Sequence, residues 1–391
     1  MKGEHLLNAR ARELEQGMIR AMFDKANKME NIISMGIGEP DLHTAKPICQ
    51  AASDALMAGV THYTPNAGFP VLRKAISQYA FDIPGLYDPD TEIIVTNGGM
   101  GALSLVMLVL LEQGDQVLIQ NPQWLNYAAQ IRFCGGEPVA VPTTAENGFI
   151  MKAEDIRKCY VPGKTKALII NSPNNPTGEV MTRQQLQEIA DLAQELDLLV
   201  IADEVYNTLL YEDAEAVSIA SIPGMKDRTV VVNSFSKSFA MTGWRVGFAA
   251  APQALVDRMT KLQENFNSCV NAAAQMGAVY ALEHKELMKE LQDSLTERRT
   301  IAIEGIRAIP GMKCRAPKGA FYLFPDVSAF GMTSLEFCNR LLDEAGVVCI
   351  PGSAFGSCGE GHIRISYTAK KDKLVEAMER MKAFCAKYYK G

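Results

Sequence analysis

The sequence predicts an α/β protein with a mostly parallel central sheet, helices on both faces of that sheet, and a smaller second α/β domain. Short runs rich in valine and isoleucine alternate with longer helical patterns. This alternation is typical of strands that are buried on both faces and joined by crossover helices. With 391 residues, of which 48% are hydrophobic and 21% charged, the chain has the composition of a globular protein with room for two domains.

The order of the predicted elements divides the chain into two parts. Apolar runs predict strands at 116–120, 138–142, 167–171, 198–202, 229–233 and 246–250, with helices at 101–112, 183–196 and 252–267. The tail mixes helices at 284–307, 334–345 and 370–388 with an apolar stretch at 319–325, and a charged helix is predicted at 9–28. We therefore expect a large domain over 46–284 and a small domain formed by 1–45 and 285–391. No long polar linker separates the two, so we expect them to pack together.

Charge and cysteine content exclude several classes of protein. The 39 lysines and arginines against 45 aspartates and glutamates give a net charge of −6, and no basic cluster indicates a nucleic-acid partner. Nine scattered cysteines without a Cys-x-x-Cys pair indicate neither a zinc site nor a disulfide framework. The N-terminal region lacks an apolar signal segment, and no run approaches membrane-spanning length. These features predict a cytoplasmic protein without a membrane partner or a bound metal.

The stretch 233–247 places a lysine among small hydroxyl side chains at the end of a predicted strand, with an arginine further along. Lys237 could condense with the carbonyl group of a cofactor. Ser234 and Ser236 could donate hydrogen bonds to a phosphate of that cofactor, and Arg245 could bind the phosphate with its fork of N–H donors. An ordinary surface lysine beside a turn is the alternative interpretation.

This stretch resembles the lysine motif of the class I/II aminotransferases, the fold-type I enzymes that use pyridoxal 5'-phosphate (PLP). The resemblance extends from about residue 32 to residue 366, with seven motifs in the family's order. It implies that the predicted large domain is the PLP-binding domain of the fold-type I transferases. It also implies a homodimer that acts on small-molecule substrates, an amino acid and a 2-oxo acid.

Asp203 and Tyr206 follow the predicted strand 198–202, at the edge of the sheet where ligands collect in open α/β folds. A carboxylate at position 203 could pair with the protonated pyridine nitrogen of PLP and keep the ring positively charged. The hydroxyl of Tyr206 could donate to the phenolic oxygen of the cofactor. The alternative for Asp203 is that it caps a helix.

Two loops carry further candidates for cofactor binding. The stretch 96–103 has glycines that let backbone N–H groups approach a phosphate at the start of a helix, which makes Gly99, Met100 and Gly101 candidates. The stretch 171–178 is rich in turn-forming residues. In the family, a similar string places an asparagine on the phenolic oxygen of the cofactor, and the resemblance gives that role to Asn175.

The remaining candidates concern the pyridine ring, the substrate and the dimer. The resemblance implies that Trp124 stacks on the pyridine ring, although it could equally be a core residue. Arg364 matches the arginine that binds the α-carboxylate of the substrate in two-point fashion, and Gly38 is expected to add a backbone contact to it. Tyr63 matches the tyrosine that reaches the cofactor phosphate of the other subunit.

The sequence therefore predicts a PLP-dependent aminotransferase with a ping-pong mechanism, for which aspartate and aromatic amino acids are the expected substrates. Lys237, Asp203 and Tyr206 are the expected catalytic residues. The alternatives are a carbon–sulfur β-lyase or a decarboxylase on the same fold, because the electron sink of the cofactor serves all these reactions. A transcriptional regulator with an aminotransferase-like domain is disfavoured by the chain length and the net charge.

Overall fold

The computed structural model describes residues 4–7, 22, 25–26 and 29–390. The helix predicted at 9–28 lies almost entirely outside these residues. The strands are β1 (Ile33–Ser34), β2 (Ile93–Thr96), β3 (Gln116–Asn121), β4 (Glu137–Pro142), β5 (Thr165–Asn171), β6 (Leu199–Asp203), β7 (Thr229–Ser234), β8 (Gly247–Ala250), β9 (Tyr322–Leu323), β10 (Val347–Val348), β11 (Ile350–Pro351) and β12 (Ile363–Ser366).

The described helices connect these strands and cover the sheets. They are α1 (Lys46–Met57), α2 (Pro70–Tyr79), α3 (Gly98–Leu110), α4 (Asn126–Phe133), α5 (Ala153–Cys159), α6 (Arg183–Glu195), α7 (Phe235–Ser238), α8 (Gln253–Phe266), α9 (Ala272–Glu283), α10 (Lys289–Arg307), α11 (Ser334–Ala345) and α12 (Lys371–Tyr388). The helix predicted from residue 101 begins at Gly98 instead. The helix predicted at 284–307 is a short 3-10 turn (Lys285–Met288) followed by α10.

A seven-stranded sheet in the order β2-β8-β7-β6-β5-β3-β4 forms the centre of the molecule. Strand β8 runs antiparallel to both of its neighbours, and β7, β6, β5, β3 and β4 are parallel to one another. All six predicted strands are present with bounds within two residues, so the predicted mostly parallel sheet is confirmed. The parallel strands β3, β5, β6 and β7 end at Asn121, Asn171, Asp203 and Ser234, which therefore share one edge of the sheet.

Two smaller sheets belong to the C-terminal part. Strand β1 pairs in parallel with β10, and β12 pairs antiparallel with both β11 and β9. One hydrophobic cluster joins Ile33 and Met35 with buried side chains between residues 291 and 385. The N-terminal segment thus packs with the C-terminal part, as expected for the predicted small domain, and the exact boundaries 46–284 and 285–391 stay a prediction.

A buried carboxyl group lies directly after β6, beside the residue that ends this strand. Glu204 accepts a hydrogen bond from the Ser218 hydroxyl at 2.6 Å. Burial raises the pKa of Glu204 to about 8, although the Ser218 hydrogen bond opposes this increase. Because the folded pKa lies above the unfolded one, the group stabilises the fold fully below about pH 4.5. That contribution is lost as the pH rises toward 8.

We expect Glu204→Gln to flatten the dependence of stability on pH. Between about pH 6 and pH 8 the free energy of unfolding of the unmodified protein should fall by on the order of 2 kcal/mol, and the variant should lose most of this fall. Urea unfolding at a fixed protein concentration measures both proteins. Glu188→Gln, at an exposed position on α6, is the matched control and should keep the slope. An unchanged slope in Glu204→Gln would show that other groups cause the dependence.

Candidate active site

A cavity of about 830 Å³ opens at the shared edge of the parallel strands. Of the fourteen residues predicted from the sequence as site residues, twelve line it: Gly38, Gly99, Met100, Trp124, Asn175, Asp203, Tyr206, Ser234, Ser236, Lys237, Arg245 and Arg364. The structure thus brings together residues separated by more than three hundred positions in the chain.

Lys237 lies in the short helix α7, directly after β7. The hydroxyl of Ser234 caps this helix by accepting a hydrogen bond from the Ser236 amide at 3.1 Å. The Lys237 Nζ donates to the Gly38 carbonyl at 2.6 Å. Burial lowers the pKa of Lys237 to about 8, and the charge of Glu39 opposes this effect. A lysine whose pKa lies this close to neutrality can accept and return a proton near physiological pH.

One end of the cavity gathers donors suited to a phosphate. The hydroxyl of Ser234 donates to that of Ser236 at 2.8 Å, and a Cβ placed on Gly99 would lie 3.7 Å from the Ser234 Cβ. Gly99 lies in the first turn of helix α3, whose N-terminus receives no side-chain capping bond. The helix start therefore offers free N–H groups and a partial positive charge.

Arg245 brings its guanidinium group to the same place. It adopts the left-handed conformation (φ 56°), and its Nη1 donates to the Thr242 carbonyl at 3.0 Å. A Cβ placed on Gly98 would lie 2.3 Å from the Arg245 Nη2, and one on Gly247 would lie 2.6 Å from the Gly99 nitrogen. Glycine is thus required at 98 and 247 for this close approach. Hydroxyls, helix start and guanidinium together form a cradle for a dianionic phosphate.

Asp203 ends β6 in the middle of the cavity wall. Its Oδ2 accepts the hydroxyl proton of Tyr127 at 2.6 Å. Burial raises the pKa of Asp203 to about 6, although this hydrogen bond opposes the increase. The carboxylate is therefore ionised at neutral pH and suited to a cationic ligand group. The alternative role as a helix cap is limited to a 3.3 Å contact with the Val205 amide.

Arg364 lies in β12 and is only 4% exposed. Its Nη1 donates to the Asn175 Oδ1 at 2.9 Å and its Nη2 to the Gly36 carbonyl at 2.6 Å. Its Nε is buried without a hydrogen-bond partner among the described residues. Of the five N–H donors of the guanidinium, three are therefore left for a ligand, enough for two-point binding of a carboxylate.

Residues 36–44 tie the two ends of the cavity together. The carbonyls of Gly38 and Gly36 accept the hydrogen bonds from Lys237 and Arg364, respectively. Asp41 forms an ion pair with the buried Arg298 at 2.5 Å. On the other side, the Thr44 hydroxyl donates to the Ala240 carbonyl at 2.7 Å. The segment is thus held both by residues that follow β7 of the central sheet and by the C-terminal part of the chain.

Two predicted residues do not line the cavity. Gly101 lies in the first turn of α3 but outside the lining residues, and Tyr63 is 88% exposed. Tyr63 borders a separate surface cavity of about 400 Å³ with Leu56 and residues 269–273. Met100 lines the main cavity, and its Sδ accepts weak hydrogen bonds from Asn126 and Gln130 on α4.

The structure also adds lining residues that the sequence analysis missed. Tyr127 and Tyr322 contact predicted residues through their hydroxyl groups, and the Asn171 Oδ1 accepts the backbone N–H of Asn175 at 2.9 Å. Asn171 begins the turn-rich stretch 171–178, and Tyr127 lies three residues after Trp124. Their placement beside Asn175 and Trp124 was the only local signal.

The donor set fits PLP. A phosphate cradle, a buried carboxylate for a ring nitrogen, a face of Trp124 and a lysine of lowered pKa occupy one cavity. The fold and this site together define an enzyme that handles an amine and a carboxylate at a buried lysine.

Comparison with known proteins agrees with this definition. The family model for aminotransferase class I and II matches residues 30–381. The aspartate aminotransferase of Pyrococcus abyssi is 45% identical over 93% of this chain and 94% of that protein. The aromatic-amino-acid aminotransferase 2 of Thermococcus litoralis is 42% identical over 96% of this chain and 97% of that protein. The crystal structure of the aromatic aminotransferase from Pyrococcus horikoshii matches with a TM-score of 0.87 at 43% identity, over 94% of this chain and 99% of that one.

The chain belongs to the class I and II aminotransferases, a family that uses PLP, and it is a transaminase. The resemblance and the fold class predicted from the sequence are confirmed. No helix among the described residues is both long enough and apolar enough to span a membrane.

Proposed function

We propose that this transaminase binds PLP in the cavity and moves an amino group between an L-amino acid, either aromatic or aspartate, and a 2-oxo acid. The observation that carries the proposal is that Arg364 and Lys237 line the same cavity. Arg364 has three donors left for a carboxylate, and both cations bind carbonyl groups of the same short segment. An amino acid that is held by its carboxylate at Arg364 therefore brings its α-carbon close to an amine of lowered pKa.

The proposed anchors of PLP follow from the donor set. Ser234, Ser236, Arg245 and the start of α3 would hold the phosphate. Asp203 would pair with the ring nitrogen, Trp124 would stack on the ring, and Tyr206 and Asn175 would contact the phenolic oxygen. When bound, PLP supplies an aldehyde that takes up the amino group and a cationic ring that withdraws electrons from the α-carbon.

The residues of this chain then bind the substrate and move one proton. Arg364 fixes the carboxylate and so determines which C–H bond faces Lys237. The Nζ of Lys237 removes the α-proton as a general base. It then acts as a general acid and delivers this proton to the carbon on the cofactor side of the transferred nitrogen. The first amino acid leaves as its 2-oxo acid, and a second 2-oxo acid takes up the amino group in the reverse sequence.

The residues that line the cavity indicate which kind of substrate side chain it would accept. Among the described lining residues the cations are Lys237, Arg245 and Arg364, and each already has a role in the proposal. An aspartate side chain would need a further cation. Ile37, Leu125 and Trp124 offer apolar surface, which favours an aromatic donor over aspartate.

We also propose a cytoplasmic homodimer in which Tyr63 reaches the phosphate site of the partner. The support is the exposure of Tyr63 and of Leu56, which border the same surface cavity. Met57 and Phe266 are also more exposed than apolar side chains usually are. The molar mass in solution tests the dimer. A monomer that retains full transaminase activity would contradict it.

A panel of amino donors tests the substrate range. Purified protein loaded with PLP should lose the absorption of the PLP form when an aromatic amino acid or aspartate is added, and 2-oxoglutarate should restore it. We expect aromatic donors to have the higher kcat/KM. Release of pyruvate and ammonia without any 2-oxo acid acceptor would indicate the β-lyase instead, and release of carbon dioxide would indicate the decarboxylase.

A further inference from the structure

Tyr322 contacts three parts of the site at once. It comes from the stretch 319–325, which stood out in the sequence without a function, and it lies in β9 at 1% exposure. Its hydroxyl lies 2.9 Å from that of Tyr206. A Cβ placed on Gly38 would lie 2.2 Å from the same hydroxyl, so residue 38 must be glycine for Tyr322 to occupy this position.

The ring of Tyr322 also orients the carboxylate-binding arginine. The Arg364 Cζ lies 4.6 Å from the centroid of the Tyr322 ring and 4.9 Å from that of Phe355. Stacking of this kind holds the guanidinium plane by cation–π attraction. Tyr322 therefore touches both Arg364 and Tyr206.

The hydroxyls of Tyr322 and Tyr206 form a hydrogen bond with each other. Neither has a second hydrogen-bond partner within the part of the chain that the structure describes. The pair carries two O–H protons, and one of them is used between the two oxygens. One donor is left for a ligand in the cavity.

The role proposed for Tyr206 determines which phenol donates within the pair. Burial raises the pKa of both phenols, and for Tyr206 the increase is well above the usual value. The charge of Arg364 opposes this increase at both phenols, and at Tyr322 the hydrogen bond with Tyr206 opposes it as well. Tyr206 has one O–H proton, and donating that proton to the phenolic oxygen of PLP requires Tyr206 to accept the hydrogen bond from Tyr322.

We propose that Tyr322 is a positioning residue that donates its hydroxyl proton to Tyr206, leaves the Tyr206 proton for the phenolic oxygen of PLP, and holds the plane of Arg364 toward the substrate carboxylate. This inference rests on the proposed function. A donated hydrogen bond polarises the receiving hydroxyl and makes it a stronger donor in turn. Tyr322 thus links recognition of the substrate carboxylate to the electronic state of the cofactor.

Tyr322→Phe tests the role of the hydroxyl because it keeps the ring. With PLP bound, the pH midpoint of the cofactor absorption should rise by about half a unit, and kcat should fall about threefold to tenfold. KM should stay within about twofold, because the ring still stacks on Arg364. Tyr322→Leu removes the ring as well and should raise KM about tenfold.

Three comparisons keep the outcomes distinct. Tyr211→Phe removes another buried hydroxyl, which donates to the Ala320 carbonyl at 2.7 Å away from the cavity, and should leave midpoint and KM unchanged. Adding Tyr322→Phe to Tyr206→Phe should not move the midpoint further. A midpoint in Tyr322→Phe that stays at the original value or falls would overturn the inference. Failure of the unmodified protein to bind PLP would instead overturn the proposed function.

Discussion

Lys237→Ala should lower kcat for transamination by at least about 10³-fold, because the variant lacks both the amine that holds the cofactor and the general base. Borohydride reduction in the presence of PLP should label the unmodified protein on Lys237 and leave the variant unlabelled. Added small amines should restore part of the rate, since they can carry the proton in place of the missing side chain. Steady-state rates and mass spectrometry of the reduced protein provide the two measurements.

Lys285→Ala is the matched control for this experiment. Burial lowers the pKa of Lys285 as well, but this lysine does not line the main cavity. Its replacement should leave labelling and kcat unchanged. If Lys237→Ala retained the original rate without added amine, or if the label appeared on Lys285, the proposed mechanism would be wrong.

Arg364→Lys should lower kcat/KM for amino acids by about 10²- to 10³-fold, because a point charge replaces two charge-assisted hydrogen bonds in fork geometry. The loss should appear mainly in KM for both the amino acid and the 2-oxo acid. The slow reaction of an amine that lacks the carboxylate should hardly change. Steady-state kinetics with paired substrates, with and without the carboxylate, measures the difference.

Arg299→Lys provides the control for Arg364→Lys. Arg299 is also buried and stacked on a tyrosine, with its Cζ 4.9 Å from the Tyr211 ring, but it pairs with Glu212 outside the cavity. This variant should lose stability without a change in KM. An equal loss of kcat/KM for substrates with and without a carboxylate in Arg364→Lys would contradict the assigned role.

Much of the fold could be predicted because its signals are local. The strands of the large sheet are continuous apolar runs, and the parallel order follows from the helices between them. Helix α11 begins and ends at the predicted residues, since Thr333 caps its start and Gly346 ends it in the left-handed conformation. The start of α3 was misplaced because glycines 98 and 99 serve close packing against Arg245 and β8, which overrides their low helix propensity.

The site residues that could be predicted from the sequence are those that lie in a specific motif. Lys237, Asp203 and Arg245 stand in strings whose order and chemistry are specific. Tyr127 and Tyr322 gave no such signal, because their hydroxyl contacts join residues 76 and 116 positions apart and depend on the tertiary fold. Tyr63 lies outside the cavity of its own chain. Its predicted role depends on a second subunit and therefore stays a proposal.

The two ends of the cavity come from different stretches of the polypeptide. The proposed phosphate anchors lie between residues 98 and 247, whereas the groups around the substrate carboxylate include residues 36–38, Tyr322 and Arg364. Neither stretch alone can bind both the cofactor and the substrate carboxylate. The site therefore exists only once residues 36–38 and the C-terminal part have packed against the central sheet.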